Sequence, residues 1–291
     1  MNSPSTGRHG FFHKDAMIGA LACCIPLFLS CSQGILPAKG DPLPKPDAVA
    51  FKGTGSVGAE GALRLTGTLH KPPGDGPFPA IVLLHGCAGI QPRRDHRWAE
   101  RLLGWGYVTL QVDSFRPRGI SNVCTYSGRD SVEIVEKRVH DAYDAKRYLA
   151  GLPFVDRGRI AVMGWSQGGM TTLQALYRDT EAPFRAAIAF YPSCRRMLTG
   201  LNAPLLILIG EADDWTPAER CVSMMPEKGS SDVALKVYPG AFHGFDTAGA
   251  KASVRGARGM HRIEHHPMAE ADAIVQVRGF FEKHLKKGEI Q

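Results

Sequence analysis

A serine inside a glycine-rich turn is the strongest chemical signal in this chain. Gly164, Ser166 and Gly168 form the pattern G-x-S-x-G, directly after the apolar run 160–163 and directly before a helix-like run. In that context a sharp strand-to-helix turn holds the serine in a strained backbone conformation and presents its hydroxyl as a nucleophile. A phosphate-binding turn is the alternative, but no lysine follows as in a P-loop and the glycine spacing differs from the dinucleotide-binding pattern. The pattern therefore predicts a nucleophilic Ser166.

A base and an acid that could activate this serine follow further along the chain. A serine hydroxyl needs a neighbouring base to take its proton, and the base needs a third group that holds it in the right tautomer. In folds with this turn the acid comes before the histidine, and each lies in a loop after a strand. The apolar run 205–209 leads to Asp213, and the run 233–238 leads to His243. Both residues therefore lie where such a fold requires them.

The acid loop offers three carboxylates. We favour Asp213, because it begins an Asp-x-x-Thr-Pro run whose proline can open the next helix. Asp214 and Glu211 remain open as alternatives. An aspartate before a proline is also a common helix cap, and a histidine such as His243 is often simply packed or exposed to solvent. Neither explanation accounts for the order of the three groups along the chain.

Two backbone N–H groups are expected to hold the oxyanion that develops during acyl transfer. One belongs to Gln167, the residue after the nucleophile, and the other to the loop after the strand that ends at Leu84. This loop, residues 85–89, reads HGCAG, and its small residues let Cys87 approach a substrate as the second donor. Cys87 as a catalytic thiol is the less favoured alternative, because no helix start or paired base activates it. We expect His85 to support the turn.

Alternating strands and helices are needed to position these groups. The run 63–69 alternates with the period of a half-buried edge strand, and the stretch from Asp130 to Leu149 begins with a capping-box-like pair, Asp130 and Glu133. Longer apolar runs alternate with helix-like stretches, the runs at 80–84, 107–112, 160–163, 186–190, 205–209 and 233–238, and the helices at 94–103, 130–149, 167–177, 217–225 and 269–286. Strict alternation predicts an α/β fold with a mostly parallel sheet and helices on both faces.

The amino terminus is typical of an export signal. Arg8 and Lys14 precede an uncharged run from Ala16 to Leu29, which is too short to span a membrane but suits the apolar part of a secretory signal. The run leads to Cys31 in a sequence similar to a bacterial lipoprotein signal, so lipidated Cys31 would attach the chain to a membrane. Ordinary cleavage near Ser30 is the alternative. We expect a periplasmic or membrane-anchored protein.

The sequence divides into three predicted segments. Residues 1–31 form the predicted signal, and the proline-rich segment 32–48 is expected to be a semi-rigid tether. The domain then spans 49–291. Of the 291 residues, 44% are hydrophobic and 22% are charged, which excludes disorder, collagen and coiled coil for the whole chain. The net charge of +7 is spread along the chain, so we expect no nucleic-acid binding.

Four cysteines in the domain allow two disulfides with three pairings. We favour Cys194 with Cys221, because both follow neighbouring strands at the same edge of the expected sheet. The separation of Cys87 and Cys124 is harder to judge, and four buried free thiols are the alternative. The cysteine and histidine spacing does not match a zinc site, so we expect no metal and no cofactor.

Four blocks of sequence resemble those of the dienelactone hydrolase family of α/β-hydrolases. They are the serine turn 164–169, the acid loop 210–217, the histidine loop 242–245 and the loop 85–89, and the resemblance covers roughly 62–285. It implies the α/β-hydrolase fold and a metal-free hydrolase of small-molecule esters or lactones.

The resemblance also implies a catalytic triad of Ser166, His243 and Asp213. The chain departs from the name-giving enzymes in two ways: they have cysteine at the position of Ser166, and they carry an arginine shortly after the catalytic histidine, where Asp246 and Thr247 stand here. We therefore expect a broader carboxylesterase activity. A polysaccharide deacetylase-like esterase, a serine peptidase of the same fold and a noncatalytic binding protein are the competing interpretations.

The segment 248–266 follows the histidine and contains Lys251, Arg255, Arg258 and Arg262 before its first acid. It could be a flap over the site that favours anionic substrates, or a solvated insertion. A metal site formed by its three histidines at 261, 265 and 266 is the least favoured interpretation.

Overall fold

The computed structural model describes residues 43–54, 63–180, 182–227 and 232–286. The expected signal at 1–31, with Cys31, lies outside these ranges. The first strand begins at Asp47, so Asp47 and Ala48 belong to the domain and not to the expected tether. Within the described ranges, no helix is both long and apolar enough to cross a membrane.

Eight strands form the central sheet: β1 (Asp47–Lys52), β2 (Arg64–His70), β3 (Phe78–Leu84), β4 (Val108–Asp113), β5 (Val155–Trp165), β6 (Ala187–Phe190), β7 (Leu205–Gly210) and β8 (Val233–Tyr238). Their order across the sheet is β1-β2-β4-β3-β5-β6-β7-β8. The pairs from β4 to β8 are parallel, whereas β1 and β2 join the edge in antiparallel fashion. The predicted fold class, a mostly parallel α/β sheet, is confirmed.

Within the described ranges, four α-helices connect strands of the sheet: α1 (Asp95–Gly104), α2 (Gly128–Ala150), α3 (Gln167–Leu176) and α4 (Ala218–Ser223). A fifth, α5 (Pro267–Leu285), follows the last strand. α2 packs on α3, and Arg101 of α1 forms an ion pair with Glu270 of α5. Because every residue of β4 and β7 is buried, both faces of these strands must be covered. Burial of both faces is what a parallel sheet covered by helices on both sides requires.

The expected capping box at the start of α2 is wrong. The helix begins at Gly128, two residues before Asp130, so both members of the pair already lie inside the helix. Glu133 instead forms an ion pair with Lys137 one turn later, with 2.7 Å between Oε1 and Nζ. α4 is also shorter than the predicted stretch 217–225.

A two-stranded hairpin follows the central sheet. β9 (Lys251–Gly256) and β10 (Gly259–Glu264) pair in antiparallel fashion within the segment expected to be a flap or an insertion. The hairpin is tied to the histidine loop, where the N–H of Glu264 donates to the carbonyl of His243 at 3.3 Å. It is also tied to the acid loop, where the N–H of Arg262 donates to the Asp214 carboxylate. The segment is thus an ordered hairpin tied to both loops, although most of its residues are exposed or half exposed.

Candidate active site

Ser166 occupies the turn between β5 and α3 in a strained backbone conformation. Its φ is 54° and its ψ is −114°, a combination that residues with a side chain rarely adopt. A Cβ on Gly164 would lie 2.2 Å from the carbonyl oxygen of Gly168, and a Cβ on Gly168 would lie 2.1 Å from that of Leu84. The glycines of the motif are thus required by close backbone approach, and they allow the turn to present the Ser166 hydroxyl.

A chain of hydrogen bonds joins the three groups found in the sequence. His243 Nε2 lies 3.0 Å from Ser166 Oγ, and His243 Nδ1 lies 2.8 Å from Asp213 Oδ2. The histidine and the aspartate are each only 3% exposed. These residues come from loops after β5, β7 and β8, whose carboxyl ends meet at one edge of the sheet. The arrangement can move a proton from the serine to the imidazole.

The surroundings of Asp213 keep it ionised. Its Oδ1 accepts the N–H groups of Trp215 and Thr216 at 2.9 and 2.8 Å, and its Oδ2 accepts the hydroxyl of Thr216 at 2.8 Å. Burial raises the pKa of Asp213. The charge of His243 and the hydrogen bonds from His243 and Thr216 lower it by a larger amount, so the pKa lies below its ordinary value. An ionised Asp213 fixes the Nδ1 proton of His243 and leaves Nε2 free to accept.

The two alternative acids do not contact the histidine. The Asp214 carboxylate accepts the backbone N–H of Arg262, and its side chain is half exposed. Glu211 is exposed, and its Oε2 accepts the N–H of Gly240. Asp213 is the acid that the fold brings to His243.

The two expected oxyanion donors border one cavity with Ser166. Gln167 is the first residue of α3, so its N–H has no carbonyl in a preceding helical turn to bond. The carbonyl of Cys87 accepts the N–H of Val123 at 2.9 Å, and the Cys87 sulfur is bonded to that of Cys124. The disulfide contradicts Cys87 as a catalytic thiol, and the residue still lines the cavity beside Ser166.

His85 is a buried, neutral residue of the same loop. Its Nδ1 lies 2.7 Å from the carbonyl oxygen of Gly86, and its Nε2 accepts the N–H of Ser114 at 3.3 Å. Burial, together with the charge of Arg138, lowers the pKa of His85 well below its ordinary value. His85 therefore holds the turn, in the supporting role expected for it, and lies outside the hydrogen-bond chain of Ser166.

Two disulfides hold the loops of the site. Cys194 and Cys221 are bonded in the favoured pairing, with their Cα atoms 5.0 Å apart, and the bridge encloses the acid loop. Cys87 and Cys124, whose separation was harder to judge, form the second bridge. The alternative of four free buried thiols is wrong.

Asp246, noted in the sequence only as a departure from the family, lies in a buried aromatic cage that sequence reasoning missed. Its Oδ2 accepts the indole N–H groups of Trp98 and Trp165 at 2.8 and 2.9 Å, and its Oδ1 accepts the hydroxyl of Tyr191 at 2.7 Å. Burial raises the pKa of Asp246, although Arg94 and the three hydrogen bonds act against that shift. A carboxylate three positions after His243, directly after Phe245, was the one available signal.

The site opens into a cavity of about 760 Å³. The turn of the hairpin forms one of its walls through Ala257, Arg258 and His261. His261 stacks on Trp215 with 5.0 Å between ring centroids, and Trp215 lies 5.0 Å from the His243 ring. The flap interpretation of the segment 248–266 therefore agrees with its place in the structure.

Of the basic residues singled out in the hairpin, only Arg258 lines this cavity; Lys251, Arg255 and Arg262 do not. His265 is hydrogen-bonded to Glu270, and no cluster that could hold a metal ion occurs in the part of the chain that the structure describes.

Solved structures of low sequence identity share this fold. A dienelactone hydrolase-like promiscuous phosphotriesterase from metagenomic libraries is 20% identical, with a TM-score of 0.63 over 84% of this chain and 100% of that one. The acylaminoacyl peptidase of Pyrococcus horikoshii is 19% identical, with a TM-score of 0.59 over 86% of this chain and 43% of the peptidase. At such identities the likeness shows the fold alone.

Curated relatives match over a shorter stretch. The probable dipeptidyl-aminopeptidase B of Grosmannia clavigera is 39% identical over 92 residues, which are 30% of this chain and 9% of that protein. Its counterpart in Ajellomyces capsulatus is 29% identical over 136 residues, 42% of this chain and 14% of the relative. The chain thus spans only a small part of these much longer proteins.

A family model described as the dienelactone hydrolase family matches residues 65–285, well over half of the chain. The matched range contains the serine turn, the acid loop and the histidine loop. This chain is therefore a hydrolase, and it belongs to the dienelactone hydrolase family.

Proposed function

We propose that the protein is a serine esterase that hydrolyses ester or lactone bonds of small molecules through Ser166, His243 and Asp213. The observation that carries the proposal is the unbroken hydrogen-bond chain, 3.0 Å from Ser166 Oγ to His243 Nε2 and 2.8 Å from His243 Nδ1 to Asp213 Oδ2. These distances suit proton transfer without rearrangement of the resting site.

Acylation is the first half of the proposed reaction. His243 takes the proton of Ser166 as the hydroxyl oxygen attacks the ester carbonyl, and the carbonyl oxygen becomes an oxyanion. The N–H groups of Gln167 and Cys87 donate to this oxyanion. His243, held by ionised Asp213, then gives its proton to the leaving alcohol as the acyl group remains on Ser166.

Deacylation repeats these steps with water. His243 takes a proton from a water molecule, the hydroxide attacks the acyl carbonyl, and the proton passes back to Ser166 as the acid leaves. Asp213 stays ionised throughout, because its hydrogen bonds with Trp215 and Thr216 do not depend on the charge of His243.

The test of this proposal is turnover of p-nitrophenyl butyrate by the parent protein and by Ser166→Ala. We expect the Ser166→Ala variant to lose about four orders of magnitude in turnover. Ser223→Ala, an exposed hydroxyl in α4, is the matched control and should keep the parent rate. Activity of Ser166→Ala within tenfold of the parent contradicts the proposal.

The competing activities, deacetylase-like esterase and peptidase, are distinguished by which substrate the protein turns over fastest. An acetylated oligosaccharide and a dipeptidyl p-nitroanilide should be turned over far more slowly than the small ester. Preference for the sugar favours the deacetylase-like esterase, and preference for the anilide favours a peptidase, which is also what the curated relatives are named for. A protein that hydrolyses none of them and resists a fluorophosphonate probe is a binding protein.

We further propose that the enzyme acts outside the cytoplasm, attached through lipidated Cys31. Two disulfides beside the site support this proposal, because such bonds persist in oxidising compartments. Labelling with a radioactive fatty acid in a bacterial host should mark the parent protein and not Cys31→Ser. Label that remains on the variant contradicts lipidation at this cysteine.

A further inference from the structure

Three arginines from separate segments line the cavity that contains Ser166. Arg195 follows β6, Arg220 lies in α4, and Arg258 lies in the turn between β9 and β10. Of these three, only Arg258 belongs to the basic residues noted in the sequence of the segment 248–266. The other two come into the cavity wall because the sheet order places β6 and β7 side by side and because the hairpin folds over them.

Within the described ranges, these guanidinium groups form no ion pair with a carboxylate. Among the residues that the structure describes, none of the three forms an ion pair, whereas the neighbouring Arg262 pairs with Glu264. They are also close enough to repel one another: burial lowers the pKa of Arg195, and the charges of Arg258 and Arg220 lower it further. Unpaired positive charge is therefore concentrated on one wall of the cavity.

The one acidic residue among the described residues of the cavity wall offsets this charge only in part. Asp214 accepts the backbone N–H of Arg262 and lies 3.6 Å from Nδ1 of His261, and its single carboxylate stands against three guanidinium groups. The rest of the wall is largely aromatic or apolar, and includes Tyr126, Met170 and Trp215. A substrate in this cavity thus meets both apolar side chains and a set of guanidinium groups.

We propose that Arg195, Arg220 and Arg258 form an anion subsite, and that the preferred substrates are esters bearing at least two negative charges as carboxylate or phosphate groups. Guanidinium groups bind both kinds of oxyanion through paired N–H donors. One carboxylate would compensate only one of three mutually repelling cations, whereas a group with two or more charges relieves the repulsion. This inference rests on the proposed esterase function, because it places the subsite beside Ser166.

The test compares p-nitrophenyl esters whose acyl chains have matched length and carry no charge, one carboxylate, two carboxylates or one phosphate. For the parent protein we expect kcat/KM to rise with charge, by about tenfold or more from the neutral to the doubly charged esters. The two doubly charged esters distinguish carboxylate from phosphate as the recognised group. Equal kcat/KM for neutral and charged esters overturns the proposal.

Variants locate the subsite. In the double variant with Arg195→Gln and Arg258→Gln, the ratio of kcat/KM for doubly charged to neutral esters should fall by about tenfold or more, mainly through KM. Arg255→Gln is the matched control, because Arg255 lies on the same hairpin, is exposed and does not line the cavity. A ratio that changes equally in the control and in the double variant contradicts the assignment.

Failure of the esterase proposal is distinguishable from failure of the subsite. If no ester is turned over, binding of tripolyphosphate and of citrate to the parent protein is measured by calorimetry. Binding that is lost in the double variant and kept in Arg255→Gln supports the subsite without the esterase. Absence of binding to the parent protein removes the subsite.

A second inference concerns Arg138 in α2, which is wholly buried. Its Nη1 donates to the side-chain oxygen of Gln167 at 2.7 Å, and its Nη2 donates to the carbonyl of His85 at 2.6 Å. One guanidinium thus joins the two segments that carry the expected oxyanion donors, the start of α3 and the loop 85–89.

The positive charge of Arg138 has no direct carboxylate partner among the described residues. Asp141, one turn further along α2, is held by Arg118, with nitrogen to oxygen distances of 2.7 and 2.8 Å. Burial lowers the pKa of Arg138 to about 10, with part of that effect opposed by Asp141, so the side chain stays charged at neutral pH. A buried cation therefore lies behind the oxyanion site.

We infer that Arg138 is a positioning residue, which sets the spacing of the Cys87 and Gln167 N–H groups. Arg138→Met should lower kcat by about a hundredfold with KM within about threefold, because the donors matter most in the transition state. Arg138→Lys, which keeps the charge and one donor, should restore part of kcat. An unchanged kcat, or an equal loss in kcat and in affinity for substrate, overturns the inference.

A second variant breaks the same hydrogen bond without removing the buried Arg138. Gln167→Met removes the side-chain acceptor of Arg138 and keeps the backbone N–H of residue 167. Gln167→Met should also lower kcat, and the double variant should have a kcat only slightly below that of Arg138→Met alone. Independent, additive losses contradict a shared positioning role.

Discussion

Asp213 and Asp246 are both buried carboxylates near His243, yet their surroundings act on them in opposite ways. Asp213 accepts two backbone N–H groups and the imidazole, and its pKa lies below the ordinary value. Asp246 accepts three neutral side-chain donors, and burial holds its pKa above the ordinary value. Burial alone therefore does not decide the charge of a carboxylate; the charge and number of its partners do.

The two aspartates have different roles: Asp213 takes part in the proposed mechanism, whereas Asp246 supports the structure around it. In the proposed mechanism Asp213 must be ionised to hold the imidazolium. The cage around Asp246 instead fixes Tyr191, whose ring lies 4.6 Å from that of His243 and whose carbonyl oxygen lies 3.1 Å from the Thr216 hydroxyl oxygen. That hydroxyl donates to Asp213. The cage thus supports the acid loop through Tyr191 and Thr216.

The largest expected effect comes from the catalytic groups themselves. His243→Ala should lower turnover of a neutral p-nitrophenyl ester by about four orders of magnitude, and the double variant with Ser166→Ala should lose little more, because the two act as one unit. Steady-state kinetics with purified variants, each checked by circular dichroism, make this measurement. Losses that multiply in the double variant would show that the residues act separately.

Replacement of Asp213 should have the next largest effect on kcat, and it distinguishes Asp213 from its neighbour Asp214. Asp213→Asn should lower kcat by about three to four orders of magnitude, because the amide favours the wrong tautomer of His243. Asp214→Asn is the matched control, since Asp214 holds the hairpin and does not touch the imidazole. The same kinetic assay applies, and a larger loss for Asp214→Asn would reverse the assignment.

The hydrogen-bonded arrangement of Ser166, His243 and Asp213 was predictable, because each residue lies in a turn or loop after an apolar strand run. The Asp-x-x-Thr-Pro run favoured Asp213 but left Asp214 open, because the group that binds Asp214 is the N–H of the hairpin residue Arg262, 48 positions away. Asp246 lacked a recognisable pattern for a related reason: its donors, such as Trp98, become neighbours only when the fold brings distant loops together.

The two disulfides were predictable to different degrees. Cys194 and Cys221 follow neighbouring strands, so the sheet order indicates their pairing. The loop that carries Cys124 has no regular structure in its sequence pattern, and its path back to Cys87 is set by contacts such as the hydrogen bond from Val123 to the Cys87 carbonyl. Removing each bridge therefore probes a different part of the site.

Replacing Cys194 and Cys221 together with serine should lower the free energy of unfolding by about 3 to 4 kcal/mol, because the bridge closes the loop that carries Asp213. Replacing Cys87 and Cys124 together should in addition lower kcat, because Cys87 belongs to the expected oxyanion loop. Urea unfolding and ester kinetics measure the two effects. Equal kcat in both double variants would contradict a special role for the Cys87 loop.

Breaking the cage should affect stability more than chemistry. Asp246→Leu leaves three buried donors without an acceptor and should lower the free energy of unfolding by about 3 kcal/mol or more. Asp246→Asn keeps an oxygen acceptor and is the milder control. Urea unfolding monitored by tryptophan fluorescence, with Trp98 and Trp165 in the cage, gives both values. A stable Asp246→Leu variant would show that the cage does not brace the fold.

The smallest expected effect is the opposite pH dependence of the two carboxylates. Asp213 has a lowered pKa, so its stabilising contribution is present above its ordinary value of 3.8 and is lost as the pH falls through its lower folded-state value. Asp246 has a raised pKa, so its contribution is present below 3.8 and is lost as the pH rises through its higher folded-state value.

Unfolding free energies measured against pH test this contrast. The stability of the parent relative to Asp213→Asn should shrink as the pH falls below about 4, and that relative to Asp246→Asn should shrink as the pH rises above about 4. Curves that change in the same direction for both variants would contradict the comparison.

The central claim, that Ser166 carries the acyl group, is tested most directly by trapping that intermediate. The protein is mixed with an ester that deacylates slowly, quenched in acid within seconds and digested for mass spectrometry. We expect the acyl mass on the peptide that contains Ser166, and its absence in His243→Ala. An acyl group on any other residue, or turnover by the parent without a covalent adduct under conditions that trap a control serine esterase, would contradict the account.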